Sequence, residues 1–99
     1  EAAISDYSSA ILINPNAADA YNNRAFIYVK LKKFEEAKSD ADAAISMSPK
    51  RWQSYLHRAE ANRGLGNQSA AEDDVAMVAL LQTQRERFTV IDEVTSING

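Results

Sequence analysis

The sequence predicts an all-α solenoid built from stacked antiparallel helix pairs, and three observations carry that prediction. The stretch Ala18 to Arg51 meets itself when shifted by about 34 positions, which is the self-similarity of a stacked helix-pair array. Forward, Tyr21 falls on Tyr55, Arg24 on Arg58, Ala25 on Ala59, Leu31 on Leu65, Ala37 on Ala71 and Asp40 on Asp74; backward, Ala37 falls on Ala3, Ser39 on Ser5, Asp40 on Asp6, Ala44 on Ala10, Ile45 on Ile11 and Pro49 on Pro15. Within each segment the apolar residues stand three and four apart, on one face of a helix. Pro15 and Pro49 punctuate the pattern, because the residue before a proline is pushed out of the helical region.

The first segment, Glu1 to Ile13, lines up Ala3, Ile4, Tyr7, Ala10 and Ile11, and Asn14-Pro15-Asn16 ends it. In the next helix Tyr21, Arg24, Ala25, Tyr28 and Leu31 keep helical spacing, with Asp19 at the positive end of its dipole and Lys30, Lys32 and Lys33 at the negative end. Phe34 opens a third helix whose buried stripe is predicted as Phe34, Ala37, Ala41, Ala44, Ile45 and Met47, before Ser48-Pro49 stops it. From Trp52, a fourth helix carries Tyr55, Leu56, Ala59 and Leu65, and Gly64-Leu65-Gly66-Asn67 makes the turn, glycine there costing nothing in a left-handed conformation. Ser69 with Glu72 is a candidate capping box, and Asn67 competes as the cap. Ala71, Val75, Val78 and Leu81 are expected to bury the fifth helix.

After Gln82 the repeat stops matching, with Thr83 where Pro15 and Pro49 stood. Leu81, Phe88, Ile91 and Thr95 still sit near helical spacing, but β-branched residues lower helix propensity there. The expected organisation is the second helix of a truncated unit over 1–16, a complete unit over 18–51, a second unit over 52–82 that degenerates at its end, and a capping or fraying helix over 83–99.

Composition narrows the function classes. The 99 residues are 45% hydrophobic and 25% charged, with 3 Gly and 2 Pro, which is neither disordered nor fibrous. A net charge of -3 argues against a nucleic-acid backbone binder. No apolar run approaches the roughly 20 residues that span a bilayer. There is no cysteine, hence no disulfide framework and no thiolate zinc site, which suits a reducing, cytoplasmic setting. The chain begins at Glu1 and is expected to be a piece of a longer protein.

The landmarks resemble the tetratricopeptide repeat. Ala18 to Arg51 supplies Tyr21, Ala25, Tyr28, Phe34, Ala37, Ala44 and Pro49 at the family's places; the next unit supplies Tyr55, Ala59, Ala71 and Val78 but has Asn62, Gln68 and Thr83 for the second aromatic, the phenylalanine and the proline. The resemblance covers about four-fifths of the chain. It implies a right-handed α-α superhelix whose first helices line a concave groove, with Ala25, Ala37, Ala59 and Ala71 allowing close helix approach.

No catalytic residue, metal ligand or cofactor site is predicted. His57 has no Cys or His cluster around it, Gly64-Leu65-Gly66 is a helix-ending turn, and Ser5, Ser8, Ser9 and Ser39 lack a partnering base. Asp40, Asp42, Asp73 and Asp74 are read as a solvated face or as contacts between repeats, since Asp6, Asp40 and Asp74 follow the period.

What remains is a surface. Helical phase turns Asn22, Asn23, Phe26, Val29 and Lys30 toward the groove, joined from the next pair by Gln53, Leu56, His57, Glu60 and Arg63. An apolar anchor rimmed by amides suits a bound peptide, so the leading expectation is a scaffold that takes a protein or peptide partner. The run Tyr21-Asn22-Asn23-Arg24-Ala25 also resembles that of repeat-containing cochaperones which clamp the C-terminal carboxylates of the seventy- and ninety-kilodalton heat-shock chaperones, with Asn23 at a carboxylate-contacting place. The clamp's preceding-repeat lysine and asparagine are missing, and Gln53 and His57 replace a lysine and an arginine; a proton on His57 would restore part of one cation. The competing expectation is a structural or self-association module, pairing through an Ile4/Tyr7/Ile11 edge or through the tail around Phe88 and Ile91.

Overall fold

A computed structural model describes the backbone of residues 1–98 and the side chains of residues 1–85. Five helices follow one another: α1 (Ala2–Ile13), α2 (Ala18–Lys30), α3 (Phe34–Met47), α4 (Trp52–Gly64) and α5 (Gln68–Asn98). Each packs on its neighbour in sequence, and α2 also packs on α4. The smallest dimension is 19 Å, about two helix diameters, so the molecule is two helix layers thick. The α2–α4 contact makes the first helices of the two pairs one continuous face.

The core is made of small residues. Ala25, Ala37, Ala41, Ala44, Ala59, Ala61 and Ala71 have no exposed surface, and the largest fully buried side chain is Ser54. Alanine at these places brings helix axes close enough for ridges to enter grooves, while the larger side chains fill in around the contact. Phe34 and Ile45 are accordingly half-buried. Met47, expected in the buried stripe, is 37% exposed, and Val75 and Leu31 are likewise on the surface. Helical phase says which residues share a side but not whether a neighbouring helix reaches them.

The recurring arginines and aspartates form a repeated device. Arg24 Nε and Nη2 donate to Asp40 Oδ2 and Oδ1, both at 2.7 Å, and its Nη1 donates to Ser8 Oγ at 2.9 Å. One repeat on, Arg58 Nε and Nη2 donate to Asp74 at 2.9 and 2.7 Å, and Nη1 donates to Asp42 Oδ1 at 3.0 Å. Each guanidinium thus joins the second helix of its own pair to the second helix of the pair before. Asp40 and Asp74 are buried, which decides for these two between a solvated face and a contact role in favour of an inter-helix staple. Hydrogen bonding to Asp40 and to Asp74 raises the two arginines' already high proton affinity, against the pull of burial. Arg24 also lies over the rings of Tyr21 and Tyr28, and Arg58 over Tyr55. Tyr55 in turn donates its hydroxyl to the Pro49 carbonyl at 2.8 Å, fixing the turn before α4.

The helix ends repeat as well. Asn14 and Ser48 are extended ahead of Pro15 and Pro49, ending α1 and α3. After α2, Lys33 N–H donates to the Tyr28 carbonyl and Lys32 N–H to that of Val29; after α4, Asn67 N–H donates to Asn62 and Gly66 N–H to Arg63. Both are the paired bonds of a Schellman ending, which needs a left-handed residue. Gly66 fills that place at φ 82° and Lys32 fills its equivalent at φ 59°. The lysine cluster therefore does more than complement the dipole: its middle member carries the turn. Gly64 serves close packing instead, because a Cβ there would stand 2.5 Å from Phe34 Cγ.

Asn67, not Ser69, is the residue before α5; Ser69 lies within the helix, and Asn67 Nδ2 donates to Asn62 Oδ1 at 3.4 Å. The capping-box expectation is therefore corrected: α5 begins two residues too early for Ser69 to cap it. From Gln68 the helix runs to Asn98 without a break at Thr83. The expected contacts of Phe88 and Ile91 lie outside the described side chains. At the other end α1 packs, among the described residues, only on α2, so Ile4, Tyr7 and Ile11 are half-buried while Leu12 and Ile13 are 84% and 85% exposed.

Candidate groove between the first helices

The α2–α4 contact brings together residues from two segments about one repeat apart. A cleft of about 540 Å³ opens there, lined by Asn22, Asn23, Phe26, Arg51, Gln53 and His57. Five of these were expected from helical phase, and the structure gathers them around one opening. Val29, Leu56 and Glu60, expected beside them, do not line it; all three are half-buried on neighbouring turns. Lys30 stands at its edge, with Nζ 4.5 Å from the centre of the Phe26 ring.

The gathered residues have different roles. Asn22 was expected as a free amide for a ligand, but it is buried, and its Oδ1 accepts from Ser54 Oγ at 2.8 Å. That bond sews α2 to α4 and forms the cleft's floor. Phe26 and His57 form a wall, with ring centroids 5.5 Å apart and tilted by 41°. Phe26 remains 41% exposed, whereas His57 is buried and its Nδ1 has no hydrogen-bond partner among the described residues. Burial pushes the imidazole's pKa below its ordinary value, so it is the neutral form that the fold favours. The expectation that a proton on His57 would stand in for a missing cation is corrected accordingly.

The cation comes from elsewhere. Arg51, the residue just before α4, lines the cleft and pairs with Asp19 in the first turn of α2. Helical phase missed it because it belongs to no helix. Its signal was a departure from the repeat: Ala17 holds the equivalent place in the preceding unit. Asn23 and Phe26 are exposed on the same side, so an amide, a guanidinium and an aromatic face converge on one opening. This donor set can hold a carboxylate and an apolar group together. Among the described residues, no group of three or more His, Cys, Asp or Glu is placed to hold a metal ion, and no helix is long and apolar enough to cross a membrane.

Comparison with known proteins bears on the fold and the family. The family model described as TPR repeat matches residues 1–32, and that described as tetratricopeptide repeat matches residues 18–51. Human sperm-associated antigen 1 is 36% identical over 96 residues, covering 96% of this chain and 10% of that protein. Human serine/threonine-protein phosphatase 5 is 38% identical over 78 residues, covering 79% of this chain and 16% of that protein. The chain thus spans about a tenth and a sixth of these relatives' lengths. Among solved structures, the second TPR of Spaghetti (RPAP3) bound to the HSP90 peptide SRMEEVD superposes with a TM-score of 0.77 at 32% identity, covering 79% of this chain and 68% of that one.

Proposed function

The chain belongs to the tetratricopeptide repeat family, and from that premise we propose that the cleft between α2 and α4 binds an extended peptide of a partner protein through an acidic segment. The observation that carries this reading is the placement of Arg51 beside Asn23 and the Phe26–His57 wall in one cleft. A guanidinium forks onto a carboxylate with two parallel bonds, and an adjacent amide adds a third donor. The first and second helices around it act as a scaffold: residues 18–51 and 52–82 are taken as two repeats, 1–16 as the second half of a preceding unit and 83–99 as a helical extension.

The chemistry favours an acidic ligand over a neutral one, since Lys30 stands beside Phe26 and Arg51 inside the cleft. A similar domain holds the peptide SRMEEVD, whose last five residues include three acids. This supports a chaperone C-terminal tail as one member of the ligand class, with Arg51 supplying a cation that Gln53 and His57 do not. The test is a nitrogen-15 NMR titration with SRMEEVD. Shifts confined to Asn23, Phe26, Arg51, Gln53 and His57 support the reading, and a spectrum unchanged at millimolar peptide overturns it.

A second reading rests on α1. Leu12 and Ile13 present an apolar edge with no covering helix among the described residues, which favours self-association through that end. The two readings use different residues and can hold together. Sedimentation of Leu12→Ser/Ile13→Ser against the parent chain separates them: a mass that does not depend on these residues removes the second.

A further inference from the structure

The turn between α3 and α4 departs from the repeat in one direction. Where the first turn reads Asn14-Pro15-Asn16-Ala17, the second reads Ser48-Pro49-Lys50-Arg51. The proline is kept, the residue before it gains a hydroxyl, and the two after it gain positive charge. The first turn ends α1 and leads into α2 without any of these changes. A hydroxyl followed by proline and then by two cations is the arrangement that proline-directed protein kinases read, and Ser48 is the chain's one serine or threonine before a proline. Ser48 stands one residue past α3, half-buried and extended at φ -138° and ψ 77°, while Pro49 and Lys50 are exposed. Arg51 N–H closes the turn by donating to the Ser48 carbonyl at 3.2 Å. We propose that Ser48 is a phosphorylation site for a kinase of that class, and that its phosphate draws Arg51 away from the groove. The site stands apart from the peptide-groove reading, and its effect on the ligand rests on that reading.

In the transfer the Ser48 hydroxyl oxygen bonds the γ-phosphorus of a nucleoside triphosphate, and the bond to the β,γ-bridging oxygen breaks. The nucleoside diphosphate leaves, and the hydroxyl proton passes to the kinase's carboxylate base. The product carries about -1.5 to -2 charge at neutral pH, with strong acceptor oxygens. Two helix ends act on that charge in the same sense. Ser48 lies at the negative end of the α3 dipole and just ahead of the positive end of α4, which begins at Trp52. The phosphate is therefore driven off α3 and toward the start of α4. Lys50 and Arg51 stand there, and Arg85 of α5 lines the same cavity as they do, so cations gather on that side. In the unmodified chain Arg51 is held by Asp19, a singly charged carboxylate that is 77% exposed, and a dianionic phosphate on Arg51's own turn outcompetes it. The cleft then keeps the Asn23 amide and the Phe26–His57 wall but loses its guanidinium to the phosphate. An acidic ligand meets a neutralised cation with surplus negative charge beside it.

The experiment incubates the chain with a proline-directed kinase of the cyclin-dependent class and magnesium ATP, and reads incorporation by intact mass and fragmentation. Ser48→Ala and Pro49→Ala run beside the parent chain, the second keeping the backbone carbonyl to which Tyr55 donates. One phosphate on Ser48 of the parent chain, none on Ser48→Ala and loss of labelling on Pro49→Ala support the site. No phosphate on the folded parent chain, or equal labelling of Pro49→Ala, overturns it. The phosphorylated chain is then compared with the parent by nitrogen-15 NMR and by calorimetry with SRMEEVD. The Arg51 Nε–H signal should shift on phosphorylation, and the peptide should bind about tenfold more weakly, as for the loss of one charge-assisted bond. An unmoved Arg51 signal or undiminished affinity overturns the capture of Arg51. A parent chain that binds no SRMEEVD removes the groove reading by itself, and the Arg51 signal alone then decides whether the phosphate pairs there.

Discussion

Gly64→Ala tests how tightly the second repeat is fitted against the first. In ordinary packing two carbons lie about 3.5–4.0 Å apart. The new methyl carbon would stand 2.5 Å from Phe34 Cγ, an overlap of about 1 Å by that measure. The ring atom nearest the backbone cannot swing away without moving α3. Overpacking of this kind costs about 1–3 kcal/mol. Alanine returns part of that through helix propensity, at most about 1 kcal/mol and less at the last residue of a helix. The net loss is about 1–2 kcal/mol, or a fall in Tm of about 5–15 °C for a domain of this size. Thermal and urea melts by circular dichroism measure it. In a Phe34→Ala background the clash is gone, so Gly64→Ala should there be neutral or stabilising, a coupling of at least about 1 kcal/mol. The reasoning is refuted if Gly64→Ala melts at or above the parent temperature, or if the loss is the same in both backgrounds.

Lys32→Gly relieves a left-handed lysine at the place where the next repeat has Gly66, and should stabilise the chain by about 1 kcal/mol, read as a rise in urea midpoint at unchanged slope. His57 has a folded pKa below the ordinary 6.5, so unfolding takes up a proton: stability is complete above about 6.5 and declines as pH falls through the lower folded value. Urea melts between pH 7.5 and 5.5 should show that decline in the parent chain and not in His57→Leu, and equal slopes in both would contradict it. Asp19→Asn releases Arg51 from its partner, so an acidic peptide should bind about two- to fivefold more tightly, with weakened binding counting against Arg51 as the carboxylate holder.

The solenoid was legible because its period is a packing requirement. Alanines at 25, 37, 59 and 71 recur since every helix pair needs the same close approach, and Pro15 and Pro49 recur where α1 and α3 end. The aspartates were visible as recurrences with a contact between repeats as one of two readings, but their arginine partners were not. Arg24 and Asp40 lie on different helices, and no single-helix face shows that they meet. The groove was legible where it follows helical phase, at Asn23, Phe26, Gln53 and His57. It was not legible where it depends on contact between helices. Asn22 shares a face with Asn23, yet Ser54 on α4 takes its amide and turns a candidate ligand contact into a floor. Burial of His57 likewise depends on Phe26 arriving from α2. Arg51 escaped because it sits in a turn, and Lys32 because lysine carries no turn signature of its own.

In the proposed groove Arg51 and Asn23 hold a ligand carboxylate. Isothermal calorimetry with SRMEEVD tests it most directly, run on the parent chain, Arg51→Ala and Asn23→Ala with circular dichroism to confirm equal folding. A charge-assisted bond is worth about 1.5–3 kcal/mol, so Arg51→Ala should weaken binding about 10- to 100-fold, and Asn23→Ala by a smaller factor. Raising the salt should narrow the gap between the parent chain and Arg51→Ala. Binding to the parent chain that survives Arg51→Ala undiminished would contradict the claim.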